Sequence, residues 1–317
     1  MEKGELPLPA TFRDWIYYTF GKGIAECYMV PYNEKIWKFP SSQMSLHWVD
    51  WRIPRPPVDD VIKSAIGIET EGYTHQSVFS YPLDGGIEAL THAIAHPIAP
   101  VIHTDFRITS LRKKGQKWLI GNEKESIEVD HCICTMPVQH LIAALESVPD
   151  AVSAACRALI YNSLVCVNIG VRGPVPDISW LYLPDPALGK TNRVSFPSSY
   201  SRHVAPPGCS AILAEITHQP GDDVAWMSDA ALIEEVTATL ERMQVLTRDR
   251  IVYASVERQP FAYVVYDLAY QQNIGVIRKY CEALGIPLVG RFAQFEYLNM
   301  DGCIRSVLDF VRSSRPA

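Results

Sequence analysis

The chain has 317 residues, 48% of them hydrophobic and 20% charged, with a formal net charge of −6. That balance excludes a disordered or coiled-coil chain and suits one large or two ordinary domains with real cores. The negative charge gives nucleic acid no general attraction, no stretch approaches the ~18 apolar residues of a membrane span, and no apolar signal region opens the chain, so a cytoplasmic location is expected.

Thr11-Phe12-Arg13-Asp14 reads as a capping box, and apolar residues then recur at helical spacing through Trp15, Ile16, Phe20, Ile24 and Cys27. Two or three packed helices therefore open the chain. Pro40, Pro54, Pro56 and Pro57 punctuate an aromatic stretch containing Trp37, Trp48 and Trp51, which reads as short helices and loops. Residues 80–86 read as a loop ending in Gly85-Gly86, followed by a helix over 87–95.

From Val101 the period changes. Residues 108–111, 118–120 and 127–135 alternate or run apolar between turns at Lys114-Gly115 and Gly121-Asn122, as in an antiparallel meander, with Cys132 and Cys134 alternating on its last strand. Further strands are expected over 164–172, 179–184, 210–217 and 251–256. Helices are expected over 230–243 and 272–283, and a last one over 303–312 with Asp301 as its N-cap.

The cysteines at 27, 132, 134, 156, 166, 209, 281 and 303 are scattered in a chain too large to need staples, and reduced thiols are expected. His92 and His96 have ligand-like i, i+4 spacing but no third partner, so they read as helix-surface histidines and no metal is assigned. No G-x-S-x-G elbow or P-loop is present. A dinucleotide site needs a strand, G-x-G-x-x-G and a helix that receives the pyrophosphate. The nearest approach is Gly21-Lys22-Gly23, where Glu26 takes the place of the third glycine inside a helical pattern.

Four segments carry a resemblance. They are Phe20-Gly21-x-Gly23-Ile24-Ala25-Glu26 through Pro31-Tyr32-Asn33-Glu34-Lys35-Ile36-Trp37, then Tyr81-Pro82-x-x-Gly85-Gly86, Trp180-Leu181-Tyr182-Leu183-Pro184, and Gly290-Arg291-Phe292 through Asp301. Their order resembles the UDP-galactopyranose mutase and protoporphyrinogen-oxidase-like branch of the flavin amine oxidase superfamily, across nearly the whole chain but without the opening Gly-rich unit.

The resemblance implies a mixed α/β (α+β) fold: an incomplete FAD-binding Rossmann-like domain, a helical cluster and an antiparallel substrate-binding sheet. It divides the chain into a helical cluster at 1–80, a partial FAD-binding domain at 81–137, a substrate-binding sheet with helices at 138–285, and a return to the FAD domain at 286–317. On the substrate side it implies Asn33, Trp37, Arg52, Trp180, Tyr182, Arg193, Tyr263, Tyr297 and Asn299. Arg52 and Arg193 would support the reaction, and no side-chain nucleophile is implied because the N5 atom of reduced flavin supplies one. On the cofactor side it implies Gly85, Gly86, Gly290, Arg291, Asn299, Met300 and Asp301 around FAD, whose occupancy in this chain is in question.

The residue types suit that chemistry on their own terms. Guanidinium groups give permanently charged, bidentate contacts to a diphosphate, so Arg52 and Arg193 would clamp a UDP-sugar and face one cavity with Tyr182 and Tyr297. Indole and phenol rings stack on a base or a sugar. A helix N-terminus near Asp301 suits the anionic edge of reduced flavin. Taken singly, such aromatic residues are core as often as site, and a lone arginine is usually a surface residue. The spacing after Tyr297 to Asn299 and Asp301 is closer to the general oxidase pattern than to the mutases. The implied activity is pyranose–furanose isomerisation of a nucleotide sugar or another small molecule. The alternatives are an FAD-dependent amine or porphyrinogen-type oxidoreductase and a catalytically inactive fragment, with homo-oligomerisation left open.

Overall fold

A computed structural model of the chain describes residues 8–49, 52–55, 57–68, 70 and 79–314; Trp51 and Pro56 lie outside them. In chain order the helices and strands begin with α1 (Phe12–Ile24), a π-helical turn (Ala25–Met29), α2 (Val30–Trp37), α3 (Val58–Ala65) and α4 (Glu88–Ala95). Three strands follow, β1 (Ser110–Lys114), β2 (Lys117–Gly121) and β3 (Ser126–Val129), then α5 (Val138–Ala144), α6 (Asp150–Ala158) and β4 (Ile160–Arg172). Next come β5 (Trp180–Tyr182), β6 (Arg193–Ser195), β7 (Cys209–His218), α7 (Asp223–Trp226), α8 (Asp229–Arg242), β8 (Ile251–Val265), α9 (Tyr270–Leu284) and α10 (Met300–Ser314). The expected mixture of helices and antiparallel sheets is present, and α3, α5, α6, α7 and β6 are additions to it.

By contact the chain divides into two compact units, Met1–Ala99 with Ser163–Pro260, and Pro100–Asn162 with Phe261–Ala317.

In the first unit the opening helix starts as its sequence dictates. Thr11 Oγ1 accepts the Asp14 N–H at 3.2 Å while the Asp14 carboxylate accepts the Thr11 N–H at 3.0 Å, which satisfies two donors at the helix start. Gly21 leaves the helical region at φ 72, so the GKG segment forms a kink inside a helix. Phe12, Trp15, Ile16, Trp37 and Trp48 are buried, and Phe12 and Trp37 both pack on Trp48, at 4.9 and 5.1 Å between ring centroids.

The main sheet has the order β5-β6-β7-β4-β8. Its pairs β4–β7, β5–β6 and β6–β7 are antiparallel. Period-two alternation decides which side chains go where. Val165, Val167, Ile169 and Val171 of β4, Val194 of β6 and Ile212, Ala214 and Ile216 of β7 all point to one face. There they pack with Leu232, Val236 and Leu240 of α8. The other face is left for the intervening residues, and it sets Asn168, Arg193, Glu215 and Thr217 among Leu164 and Leu213.

In the second unit β1, β2 and β3 form the expected antiparallel meander, with Gly115 at φ 64 in the two-residue turn between β1 and β2. The third strand is shorter than the expected 127–135 run. Its pairing with β2 ends at Val129, opposite Trp118, and the next residue, Asp130, meets β2 only through its side chain, 3.7 Å from the Lys117 ammonium. Beyond it Cys134 makes a single parallel bridge to Leu288, and Cys132 and Cys134 do not share a strand of the meander. The last helix also differs from expectation. Its first bond runs from the Cys303 N–H to the Asn299 carbonyl, so Asn299 takes the cap position and Asp301 lies in the first turn. Asn caps as well as Asp, and the sequence offers both. Ile304, Val307, Leu308 and Val311 of α10 recur at helical spacing and are each 40–46% exposed.

Candidate functional site

Across this second face of the main sheet, register alone builds a row. Tyr182 of β5 stands opposite Arg193 of β6, Arg193 opposite Glu215 of β7, and Glu215 opposite Cys166 of β4. Directly opposed side chains on one face of a sheet come within contact distance. Here Arg193 Nη2 donates to Glu215 Oε1 at 2.5 Å. The Arg193 side chain is 32% exposed, that of Glu215 only 5%. Two residues along, Trp180 stands opposite Ser195, and on the same face of β4 the Asn168 amide donates to Ser255 Oγ of β8 at 3.4 Å.

Aromatic rings flank this row. Tyr182 meets Tyr32 at 4.7 Å, and Tyr32 stacks on Tyr28 at 5.5 Å with the ring planes only 6° apart. Trp180 meets Phe79 at 6.2 Å, and Tyr200 takes Phe79 edge-on at 5.2 Å and Tyr81 at 5.3 Å. The loop carrying Phe79 and Tyr81 is tied down at its far end, where Asp84 pairs with His203 at 2.5 Å and Ser201 Oγ donates to the Leu83 carbonyl. Gly85 and Gly86 follow at φ 76 and 62, consecutive left-handed residues that only glycine adopts freely. Burial first, and then the negative Glu215, push the Cys166 thiol up to about 12, which leaves it protonated and a poor nucleophile.

Asn33 and Trp37 take a different place. Both are buried, Asn33 Nδ2 donates to the Met29 carbonyl at 2.7 Å, and Asn33 Oδ1 accepts the Trp37 indole N–H at 3.2 Å. Their polar atoms are thus engaged inside the helical cluster. Arg52, half-buried, lies in a turn where its N–H donates to the Val49 carbonyl at 3.1 Å. On α2, Lys35 donates to the Asp185 carbonyl at 3.1 Å; burial, aided by Lys38, brings its ammonium down to about 8 against the opposing pull of Asp185 and Glu235.

The second unit gathers the remaining expected residues. Tyr263 and Tyr297 meet edge-on at 5.4 Å. The Arg291 guanidinium lies 4.5 Å from the Tyr297 ring centroid and 5.5 Å from that of Tyr263. It also donates to the carbonyls of Leu298, at 2.6 Å, and Ala262. Arg291 therefore locks the 291–298 turn as a cation–π and carbonyl staple. The Tyr297 N–H donates to the Tyr266 hydroxyl at 2.6 Å. Gly290 sits at φ +83 with nothing within 4 Å of where a Cβ would stand, so the backbone is open to approach there. The N–H groups of Met300, Asp301 and Gly302 precede the first intrahelical bond of α10 and lack acceptors within the helix. Open backbone at Gly290 and these donors fit the anionic edge of a flavin.

Sequence reasoning missed Glu215. The available signal was a lone carboxylate inside an otherwise apolar strand, Ala-Ile-Leu-Ala-Glu-Ile at 211–216, where a charge needs a partner. His92 takes the surface role, pairing with Glu88 at 3.3 Å. Among the described residues no group of His, Cys, Asp and Glu is arranged to hold a metal, and no helix is long and apolar enough to cross a membrane.

The sequence profile of the family described as flavin containing amine oxidoreductase matches residues 47–282. Among solved structures, a reduced UDP-galactopyranose mutase is similar at a TM-score of 0.86 and 21% identity, over 99% of this chain and 69% of that one. A protein assigned as a protoporphyrinogen oxidase, from Exiguobacterium sp. 255-15, aligns at 0.71 and 17% identity, over 98% and 68%. A putrescine oxidase redesigned in its cofactor binding aligns at 0.61 and 12% identity, over 96% and 67%. At these identities the likeness is one of fold.

Proposed function

From the premise that this chain belongs to the flavin containing amine oxidoreductase family, we propose that it is an FAD-dependent protein of the UDP-galactopyranose mutase type, acting on a nucleotide sugar. The observation that carries the proposal is the Tyr182–Arg193–Glu215 row with Trp180 two residues from Tyr182 on the same face. Such a face offers a guanidinium for phosphate, a phenol for a further neutral hydrogen bond and an indole for stacking. The 0.86 TM-score with a mutase supports the same reading at the level of fold.

Each residue then has a task. Arg193 receives the diphosphate, while Trp180 and Tyr182 hold the base or sugar against the sheet. Gly290 and the opening N–H groups of α10 would hold the electron-rich edge of the isoalloxazine ring. When bound in reduced form, the flavin would supply the nucleophile that the described side chains do not. Cys166, held protonated, takes no covalent part.

A second reading, an amine or porphyrinogen-type oxidase, draws on the same row. Glu215 is a buried carboxylate, and a cationic amine would find its counter-charge there. Turnover separates the two. Dithionite-reduced protein supplied with FAD should convert UDP-galactopyranose to the furanose without consuming oxygen. Oxygen uptake with an amine or porphyrinogen, and no furanose, would replace the mutase reading with the oxidase one. A chain that binds UDP-galactose but takes up no FAD and turns over neither would be the inactive binding module.

A further inference from the structure

Glu215 stands apart from every other carboxylate in the chain's described residues, because it alone is buried. One of its oxygens, Oε1, holds Arg193 at 2.5 Å; the other, Oε2, is buried and has no hydrogen-bond partner among the described residues. A buried carboxylate oxygen left without a donor is costly, and an ion pair in such a place is seldom kept for stability alone. The neighbouring groups do not relieve it. Cys166 on the adjacent strand and Tyr200 act on it electrostatically, yet neither donates to Oε2.

The chemistry of the gap is specific. A diphosphate carries acceptors only, so it can use Arg193 but has nothing to give Glu215. A sugar hydroxyl is a donor, and a glycosyl diphosphate presents hydroxyls one sugar carbon away from its phosphate oxygens. We propose that Glu215 is the specificity-determining residue of this face: Oε1 fixes the Arg193 guanidinium for phosphate, and Oε2 receives a hydroxyl of the attached sugar. The inference rests on the nucleotide-sugar reading above and names the atom that tells a sugar nucleotide from a bare nucleotide. A site built to bond a hydroxyl rejects ligands lacking it, because its own polar atom is then left unsatisfied.

Calorimetry with UDP and UDP-galactose on the full chain tests it. The wild-type chain should bind UDP-galactose more tightly than UDP. Glu215→Gln keeps an acceptor for Arg193 but removes the charge, and should erase roughly tenfold of that preference while leaving the UDP affinity within about twofold. An unchanged preference in the variant overturns the proposal, as does an equal fall in both affinities, which would make Glu215 only a support for Arg193. Wild-type protein that binds neither ligand overturns the nucleotide-sugar reading itself, and the Glu215 proposal with it. Should Glu215→Gln fail to fold, as judged by near-UV circular dichroism, the wild-type chain decides with deoxyfluoro analogues of UDP-galactose. Fluorine accepts but does not donate, so one analogue should lose roughly tenfold in affinity; losses within twofold for all of them overturn the proposal.

Discussion

Trp37 donates its indole N–H to the Asn33 side chain at 3.2 Å, and the same asparagine donates to the Met29 carbonyl at 2.7 Å. The bonds run i to i+4 along α2 and its preceding π-helical turn, where the backbone ladder is irregular. The pair is a buried polar clip.

Asn33→Leu should therefore act on stability. It strands the Trp37 N–H and breaks the bond to Met29, with an expected cost of about 1–3 kcal/mol. Urea denaturation of the wild-type and variant chains measures it. A variant as stable as wild type, with weakened UDP-galactose binding instead, would return Asn33 to the ligand.

Gly189 lies at φ +118 between β5 and β6. A Cβ there would stand 2.5 Å from Thr239 Oγ1 and 2.7 Å from Glu235 Oε1, while Thr239 and Arg242 both donate to the Leu188 carbonyl. The loop is thus stapled to α8 and cannot retreat. Gly189→Ala combines left-handed strain with a clash, and should cost about 1–3 kcal/mol or more in thermal unfolding. A melting temperature within a degree of wild type would show that the staple yields.

Gln139 makes the opposite case. It packs among Tyr161, Phe261, Tyr263 and Phe292, and neither atom of its amide has a hydrogen-bond partner among the described residues. Replacing an unsatisfied buried amide with an apolar group of like size removes a desolvation penalty. Gln139→Met should be neutral or stabilising by up to about 1–2 kcal/mol. Destabilisation beyond that margin would mean that the amide is satisfied in solution.

Much of this architecture was legible in the sequence because it rests on period and capping. Thr11 and Asp14 announce α1, and the alternation in 164–172 and 210–217 gives β4 and β7. What could not be read was register. Nothing in the sequence near Arg193 says that Glu215 will stand opposite it, since that pairing is fixed by how β6 meets β7 twenty-two residues later. Likewise Asn33 and Trp37 have the residue types of a sugar site, and only burial shows them bonded to each other. Strand ends were equally illegible: 127–135 alternates or runs apolar, yet the pairing of β3 with β2 ends at Val129.

Lys35 gives the chain a pH dependence of unusual sign for an alkaline range. Its ammonium is brought down to about 8 from the usual 10.5, chiefly by burial, so the unfolded chain binds this proton more tightly than the folded one. Between those two values the unfolded state carries more protons, and stability increases with pH wherever that holds. The contribution of Lys35 is therefore unfavourable at pH 7 and relieved as pH rises through about 8 towards 10.5. Lys35→Met should remove it, leaving only the loss of the bond to the Asp185 carbonyl. The wild-type chain should thus gain stability relative to Lys35→Met between pH 7 and pH 10, when the two are unfolded in urea side by side; a gap that stays constant, or widens the other way, would show that Lys35 remains fully solvated and charged.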